Sequence, residues 1–370
     1  MIGQKGIPAT YGGIEKHVDE IARRLGARGH DVTVFCRYHY TPAHAVVPGV
    51  HLSRRPSIRT KHLDAASHVA WCTFEAMARR FEIVHFHALG PSLFSGIPRV
   101  LGARTAVTVH GLDWQREKWG PLASWVLRQC EGPAARFPNR TIVVSRTLRE
   151  YFRTQHRRDA VFIPNGTNLP APRPPQKILS YGLTPGRYIL FVGRLVPEKG
   201  AHFLAEAFRG VDSDMKLALA GGLSFSEDYV RQLKRYESER VKLLDYVYGE
   251  ALEELWSNAY LVVQPSTMEG LSIALLEALS YGRCVLVSDI PENLEVAGEV
   301  AVPFRSRDVG DLRGKLEMLI RDPARVRSYE ARAREHIQRH YSWETVAEQT
   351  EAVYAEMLGR RAGGQARAIR

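Results

Sequence analysis

Ser266-Thr-Met-Glu-Gly-Leu-Ser-Ile-Ala-Leu-Leu-Glu-Ala-Leu-Ser-Tyr-Gly282 directly follows the apolar run Tyr260-Leu-Val-Val-Gln-Pro265. The apolar run predicts a buried strand. Gly270 marks a polar turn after it, and the apolar residues from Leu271 onward recur at helical spacing. The segment therefore predicts a strand, a loop and a helix that begins near Leu271.

The start of this helix predicts an anion site. Backbone N–H groups of Leu271, Ser272 and Ile273 would point at a ligand, and the helix dipole would add roughly 0.3–2 kcal/mol for a negative group. Glu269 on the loop could accept hydrogen bonds from sugar hydroxyls, and Glu277 lies about two turns along on nearly the same face. Two carboxylates beside an anion site suit a ligand with phosphate and hydroxyl groups. The alternative is an ordinary core helix with an acidic first turn.

Length and composition indicate a globular protein of two domains. The chain has 370 residues, which is more than one compact core usually accommodates. No apolar run approaches the roughly 18 residues of a membrane span, and the N-terminus has no secretory h-region, so we expect a cytoplasmic protein. The four cysteines are far apart without C-x-x-C spacing, which argues against a zinc site and a disulfide framework.

The positive charge is concentrated in the first half. Of the net +11, residues 1–170 carry 24 Lys+Arg against 12 Asp+Glu, or +12, and residues 171–370 carry 27 against 28, or −1. A basic surface can meet nucleic acid, an acidic substrate or an anionic membrane. Because the sequence has no nucleic-acid fold signature, we expect a peripheral contact with the plasma membrane or a phosphorylated acceptor, and no nucleic acid.

The first half alternates between strands and helices. A helix is predicted from Gly13 to about Leu25, and a further helix over 62–81. Only Met1-Ile2 precedes the first loop, although the first strand of a doubly wound sheet should be central and about five residues long. We therefore expect the native start to lie several residues upstream. Strands are predicted at Asp31–Cys36, Val50–Arg54, Ile83–His87, Thr105–Val109, Thr141–Ser145 and Val161–Pro164.

A proline-rich connection, Pro170-Ala-Pro-Arg-Pro-Pro175, is the best domain boundary, and the strand pattern restarts after it. We predict domains at 1–170 and 171–340, and a C-terminal helix and tail at 341–370. Both domains should be doubly wound α/β with mostly parallel sheets, stacked across a cleft. The strands predicted in the second domain are Tyr188–Val192, Lys216–Ala220, Val241–Leu244, Tyr260–Val263 and Cys284–Val287.

Two motifs carry a resemblance to a known family. The pattern Glu269-Gly-x6-Glu277 with the following Ala-Leu-Ser-x-Gly282 resembles the E-x7-E signature of the retaining GT-B glycosyltransferases of family 4. Phe191-Val-Gly-Arg-Leu-Val-Pro-Glu-Lys-Gly200 resembles that family's diphosphate-binding loop. The resemblance implies that Arg194 and Lys199 neutralise the leaving diphosphate, as a planar fork and a point charge. It also implies two Rossmann-like domains and a final helix, beginning near Trp343, that crosses back to the first.

The resemblance assigns further donor contacts. They are Gly12 and Gly13 at the start of the first helix, Gly193 beside Arg194, Gly222 at the end of a strand, Val247 in the base-binding loop, and the segment Gly270–Ile273. Glu277 would bind ribose hydroxyls, and Glu269 the donor sugar. The sequence departs from the family at Asp245, where Gly is usual, and at Cys284, where Pro or Ala is usual. The first departure makes the donor base harder to infer.

His110 follows a predicted strand, and the resemblance places it near the reacting sugar. His110-Gly-Leu-Asp-Trp-x-Arg-Glu-Lys-Trp119 is similar to a bacterial polysaccharide subgroup that includes rhamnosyltransferases. The predicted catalytic residues are thus His110, Arg194, Lys199 and Glu269. Those predicted to bind the acceptor are Tyr11, His87, Asp113 and Arg116, with Lys118 beside them.

Two motifs suggest a metal and are interpreted otherwise. Asp212-Ser-Asp214 matches the D-x-D of metal-dependent glycosyltransferases, but it lies in a turn before a strand. His85-Phe-His87 places two imidazoles on one strand face, but no third ligand is evident, and zinc needs three or four. We therefore predict no metal and no cofactor.

The expected function is a hexosyltransferase reaction in cell-surface polysaccharide synthesis. A retaining, metal-independent enzyme would transfer a sugar from a nucleoside diphosphate donor to a glycan or lipid-linked saccharide. Two alternatives stay open: a dinucleotide oxidoreductase, although no strand is followed by G-x-G-x-x-G, and a basic nucleic-acid-binding protein.

Overall fold

The computed structural model describes residues 1–60, 63–115, 119–222 and 227–360. The chain forms two compact units. Unit 1 comprises Met1–Gly166 and the chain from Trp343 onward, and unit 2 comprises Thr167–Ser342. The chain thus changes units after residues 166 and 342, where the sequence analysis places the changes after residues 170 and 340. The roles assigned to the domains stay predictions.

Unit 1 contains a parallel sheet. Its strands are β1 (Val32–Arg37), β2 (Val50–Arg55), β3 (Ile83–His87), β4 (Arg104–Val109), β5 (Arg140–Val143) and β6 (Val161–Phe162). β1 pairs with β2, and β3 to β6 pair in sequence order, all in parallel. Helices follow most strands, as parallel connections require. They are α1 (Gly13–Ala27), α2 (Leu63–Ala78), α3 (Leu89–Ser92), α4 (Gly96–Val100), α5 (Pro121–Gln129), α6 (Glu131–Arg136) and α7 (Arg146–His156).

Met1 and Ile2 occupy the central position of this sheet, between β1 and β3. The N–H of Phe35 donates to the Met1 carbonyl at 3.1 Å, and the N–H of Ile2 donates to the His85 carbonyl at 2.9 Å. His87 returns a bond to the Ile2 carbonyl at 2.8 Å. Two residues therefore join the two sets of strands where about five were expected. Counting them as the first strand gives the order 3-2-1-4-5-6-7, the doubly wound arrangement.

Unit 2 contains a six-stranded parallel sheet with the same winding. Its strands are β7 (Tyr188–Val192), β8 (Lys216–Ala220), β9 (Val241–Leu243), β10 (Leu261–Gln264), β11 (Val285–Ser288) and β12 (Val302–Phe304). Their order is β12-β11-β10-β7-β8-β9, which is again 3-2-1-4-5-6 when β7 is counted first. The helices are α8 (Lys177–Ser180), α9 (Ala201–Arg209), α10 (Glu227–Lys234), α11 (Gly249–Asn258), α12 (Ile273–Ser280), α13 (Pro291–Ala297), α14 (Val309–Arg321) and α15 (Pro323–His340).

The core of unit 2 explains why the apolar runs become central strands. Ile189, Leu217 and Leu261 are fully buried on neighbouring strands and pack with Leu204 of α9 and Leu316 of α14. Strands covered by helices on both faces have no polar side, and their sequences are accordingly near-continuous apolar runs.

The last helix, α16 (Trp343–Met357), belongs to unit 1, as predicted for a chain that crosses back. It packs on α1, and Arg28, directly after α1, forms ion pairs with Glu344, Glu348 and Glu351. The Tyr354 hydroxyl contacts Nδ1 of His85 at 2.6 Å. The final helix is thereby attached to a central strand of unit 1.

Most predicted strands are confirmed within one or two residues, but β12 was missed. Its three residues include Pro303, which cannot donate a ladder hydrogen bond, and it lies at the edge of the sheet. The predicted helix over 62–81 is observed as Leu63–Ala78, and residue 62 lies outside the described residues. In the described part of the chain, no helix combines the length and apolarity that crossing a membrane requires.

Tyr354→Phe should destabilise unit 1 by about 1–2 kcal/mol, because it leaves Nδ1 of His85 without its partner in the interior. Urea unfolding followed by circular dichroism measures the change. Tyr38→Phe, at a ring that is 49% exposed, is the control and should change stability by under about 0.5 kcal/mol. Equal effects of the two substitutions would contradict the assigned contact.

Candidate functional site

The two motifs of the second half meet at one point of the unit 2 sheet. β7 and β10 are adjacent, and the chain leaves them in opposite directions through the sheet. At such a switch point the loops after the two strands separate, and open α/β sheets bind their ligands there. The loop after β7 carries Arg194 and Lys199, and the loop after β10 carries Glu269.

Backbone contacts hold these two loops together. Gly200 has φ +72°, and a Cβ there would lie 2.0 Å from the Pro265 carbonyl oxygen. The N–H of Thr267 donates to the Glu198 carbonyl at 2.9 Å. A larger residue at position 200 would separate the loops, so this glycine fixes their spacing.

Lys199 and Glu269 form an ion pair, with Nζ 2.5 Å from Oε1. Their side chains are only 16% and 8% exposed. The same Glu269 oxygen accepts hydrogen bonds from Nε2 of Gln264 at 2.9 Å and from the Ser266 hydroxyl at 2.7 Å. Sequence reasoning named the two charged residues but not their pairing, and it missed Gln264 and Ser266. Gln264 and Ser266 lie only five and three residues before Glu269, and this closeness in the sequence could have predicted the contacts.

Arg194 lies beside a buried carboxylate that the sequence analysis did not select. Its guanidinium is 4.0 Å from Oε1 of Glu198, and the Arg194 side chain is 30% exposed. Glu198 is 5% exposed, and neither carboxylate oxygen has a hydrogen-bond partner within the described residues. Arg194 therefore supplies a nearby positive charge for Glu198, and Gly193 lies between β7 and Arg194.

The helix predicted near Leu271 begins two residues later. α12 starts at Ile273, and Ser272 is its N-cap, with the hydroxyl accepting from the Leu275 N–H at 3.3 Å. A helix leaves the N–H groups of its first turn without intrahelical partners, and here these groups include those of Ile273 and Ala274. The anion site at Leu271, Ser272 and Ile273 stays a prediction. Glu277 is half-buried on the second turn of α12, and Gly270 is half-buried on the preceding loop.

A third carboxylate, Glu292, lies near Glu269 at the start of α13. Burial raises the pKa of Glu292, and the neighbouring Glu269 carboxylate adds to the rise. Sequence reasoning missed this residue, because nothing in the spacing connects α13 with the loop after β10.

Two tyrosines that follow β9 lie beside the glycine that follows β8. A Cβ at Gly222 would lie 2.1 Å from the Tyr246 ring, so this ring covers the glycine. The rings of Tyr246 and Tyr248 are stacked, with centroids 5.7 Å apart and planes 13° apart, and Val247 between them is half-buried. Asp245 has φ +47°, which is the left-handed conformation that favours glycine. Asp245 thus has a conformation that glycine, the usual residue in the family here, adopts readily.

In unit 1, α1 begins at Gly13, directly after Gly12. Gly12 has φ +102°, and a Cβ there would lie 2.0 Å from a carboxylate oxygen of Glu15. The chain before it is held by Tyr40, whose hydroxyl donates to the Tyr11 carbonyl at 2.8 Å. The Tyr11 side chain is 38% exposed. The turn thus requires glycine and presents an exposed aromatic ring beside it.

Three histidines meet at the strand ends of unit 1. Nδ1 of His87, at the end of β3, lies 3.3 Å from Nε2 of His110, which follows β4. His17 of α1 lies beside them, with its ring centroid 4.6 Å from that of His110. No third ligand was evident in the sequence beside His85 and His87, but the structure brings His110 and His17 next to His87. His17 was missed because 70 residues separate it from His87 in the chain.

None of the contacts described above joins the remaining predicted site residues to the Lys199–Glu269 pair or to the three histidines. Asp113 is half-buried in a short 3-10 turn, Asp113–Gln115. Arg116 and Lys118 lie outside the described residues. Asp214 of the D-x-D string lies just before β8, as predicted, and its exposed side chain pairs with Arg187.

Comparison with known proteins identifies both halves of the chain. The model described as Glycosyltransferase Family 4 matches residues 11–170, and that described as Glycosyl transferases group 1 matches residues 181–336. Alpha-maltose-1-phosphate synthase of Mycolicibacterium smegmatis is 28% identical, over 96% of this chain and 98% of its own. Phosphatidyl-myo-inositol mannosyltransferase of Mycobacterium leprae is 26% identical, over 93% and 92%.

Solved structures show the same fold. Sucrose-phosphate synthase from Thermosynechococcus elongatus superimposes with a TM-score of 0.81 at 21% identity, over 97% of this chain and 96% of its own. Anabaena HepE, solved in complex with UDP-glucose, gives 0.77 at 18% identity, over 96% and 98%. The two family models together match well over half of the sequence, and the chain therefore belongs to the glycosyltransferases of family 4 and has the GT-B fold.

Proposed function

We propose that this glycosyltransferase transfers a sugar from a nucleoside diphosphate donor to a hydroxyl acceptor, with retention and without a metal ion in the reaction. The observation that carries the proposal is the Lys199–Glu269 ion pair at the switch point of unit 2. A cation that suits a diphosphate lies there beside a carboxylate that suits sugar hydroxyls, and the Glu269 loop leads into α12. HepE, of the same fold, was solved with UDP-glucose.

In this proposal, donor binding divides the ion pair. The diphosphate takes the Lys199 ammonium, and sugar hydroxyls donate to the Glu269 carboxylate in its place. Gln264 and Ser266 keep Glu269 in position during the exchange, because both donate to the same oxygen. The planar guanidinium of Arg194 contacts the phosphate as a fork, and the N–H groups at the start of α12 complete the anion site.

The chemical step breaks the bond between the anomeric carbon and the diphosphate oxygen. The electron pair leaves with the diphosphate, whose added charge Arg194 and Lys199 stabilise. The acceptor hydroxyl attacks from the same face, and its proton passes to the departing phosphate oxygen. Retention rests on the family resemblance. No protein side chain serves as the nucleophile in this route.

Donor contacts beyond the diphosphate follow the resemblance. Glu277 would bind the ribose hydroxyls, and the backbone at Val247 would bind the base near Gly222. The stacked Tyr246 and Tyr248 rings support a planar ligand there, because aromatic faces attract a nucleobase. In unit 1, we assign His110 to the reacting sugar, with Gly12 and Gly13. We assign Tyr11, His87, Asp113 and Arg116 to the acceptor.

A lipid-linked acceptor at an anionic membrane is the finer part of the proposal. α5 in unit 1 exposes Leu122, Trp125 and Val126 by 75%, 61% and 48%. Their spacing places them on one helix face, and Arg128 lies on the same helix. An exposed apolar face with a tryptophan and basic residues nearby suits the membrane interface. The basic excess of residues 1–170 supports an anionic surface.

Arg194→Ala should weaken UDP binding about 10- to 100-fold, because a charge-assisted contact is lost. Calorimetric titration in the presence of EDTA measures the affinity. Arg173→Ala removes an exposed arginine paired with Glu253 and should leave the affinity unchanged. Equal affinities of wild type and Arg194→Ala, with both proteins folded, would contradict the diphosphate site.

Glu269→Gln should separate the two functions of the ion pair. Because the amide no longer holds the ammonium of Lys199, UDP affinity should stay equal or rise. Sugar transfer should fall at least about 100-fold, since the carboxylate that positions the sugar is lost. Lys199→Met should weaken UDP binding instead. Loss of UDP affinity in Glu269→Gln would contradict the exchange.

The double substitution Leu122→Glu/Trp125→Glu should reduce flotation of the protein with vesicles that contain anionic lipid by at least about half, because it adds charge to the apolar face. Val46→Glu, at an apolar residue that is 79% exposed in the same unit, is the control for added charge. Flotation that does not depend on anionic lipid, or that both variants lower equally, would contradict membrane contact through α5.

A further inference from the structure

We propose that His17, His87 and His110 bind a divalent transition-metal ion, Zn²⁺ or one with similar ligand preference. One ring nitrogen from each histidine lies within 4.8 Å of the other two. The three residues come from α1, from the end of β3 and from the loop after β4, so the fold of unit 1 brings them together. The ion would occupy His87 and His110, which are assigned above to the acceptor and the reacting sugar, so metal binding would compete with the proposed transfer, in which no metal takes part.

The spacing is close to that of a zinc site. Zn–N bonds of about 2.0–2.1 Å in a tetrahedron place ligand nitrogens roughly 3.4 Å apart. His87 Nδ1 and His110 Nε2 are already 3.3 Å apart. One ring nitrogen of His17 lies within 4.8 Å of a nitrogen of each of the other two rings, so metal binding would draw it closer to them.

A hydrogen bond to Asn165 fixes the tautomer of His17 that leaves Nε2 able to coordinate a metal. Its Nδ1 is 2.8 Å from the side-chain oxygen of Asn165, which can only accept, so Nδ1 carries the proton. Nε2 therefore presents a lone pair. This buried atom has no hydrogen-bond partner within the described residues. A second ring nitrogen bonded to an amide oxygen is the outer-shell arrangement that orients metal-binding histidines.

The rings are in the form that coordinates a metal. Burial lowers the pKa of His17 to about 4, and it lowers the pKa of His87 well below its usual value. Both imidazoles are thus neutral at pH 7. His85 packs on His87 with ring centroids 4.3 Å apart, but its two nitrogens contact the hydroxyls of Tyr354 and Thr108. His85 therefore supports the site and is not a ligand.

The ligand set selects the class of metal. Three imidazoles without a carboxylate suit Zn²⁺, Co²⁺, Ni²⁺ or Cu²⁺, whereas Mg²⁺ and Ca²⁺ prefer oxygen ligands. Three protein ligands leave a fourth position for water or another small ligand.

The test is Co²⁺ titration of the protein without an affinity tag, followed by the visible absorption of the bound ion. We expect one tetrahedral Co²⁺ per chain, displaced by Zn²⁺. Affinity should fall at least about 100-fold in His110→Ala and in His17→Ala, since loss of a direct ligand costs no less than loss of an outer-shell partner. Asn165→Ala should weaken it about 10- to 100-fold.

His340→Ala is the matched control. His336 and His340 lie four residues apart on α15 of unit 2, with ring centroids 5.1 Å apart, and such a pair can itself bind a metal weakly. This variant should keep the tetrahedral signal. If a cluster variant fails to fold, X-ray absorption of the zinc-loaded wild type should still show three imidazole nitrogens. Absence of the signal in folded wild type, its loss only in His340→Ala, or a different ligand set would overturn the proposal.

Discussion

The contact between two loops at the switch point of the unit 2 sheet is the constraint on which the proposed donor site depends. Gly200 allows the loop after β7 to touch the carbonyl of Pro265 in the loop after β10. That contact brings Lys199 within 2.5 Å of Glu269. The pair is largely shielded from water, so its charges interact more strongly than an exposed pair would. A ligand that separates the pair must replace both interactions, and a phosphate joined to a hydroxylated sugar can do so.

Both units bring interacting polar side chains to equivalent positions in the sheet. Each has its first strand beside its fourth in the sheet, Ile2 beside β3 in unit 1 and β7 beside β10 in unit 2. In unit 1, His87 lies at the end of the fourth strand, and His110 and His17 lie next to it. In unit 2, the loops after the first and fourth strands carry Lys199 and Glu269. The two sheets share their strand order. Unit 1 has an imidazole cluster and unit 2 an ion pair because different side chains lie near the ends of the equivalent strands.

Much of this arrangement is readable in the sequence. The apolar runs predicted the central strands because strands buried on both faces need apolar side chains throughout. The motifs around Arg194 and Glu269 predicted the family, which the comparisons confirm. β12 was not predicted, since an edge strand of three residues with Pro303 leaves almost no pattern. α12 begins two residues later than predicted because Ser272 is its N-cap. The signal was present in the sequence, since serine before an apolar run is a common N-cap.

Contacts between distant parts of the chain were the least predictable. The Lys199–Glu269 pair spans 70 residues, and the spacing of either motif alone does not show it. His17 lies on α1 and contacts His110, which follows β4 and is 93 residues away in the chain. The most direct measurement of the central claim is a crystal structure of the protein with bound UDP. We predict that Nζ of Lys199 lies within hydrogen-bond distance of a phosphate oxygen and has left Glu269. An intact Lys199–Glu269 pair, with the diphosphate bound elsewhere, would contradict the account.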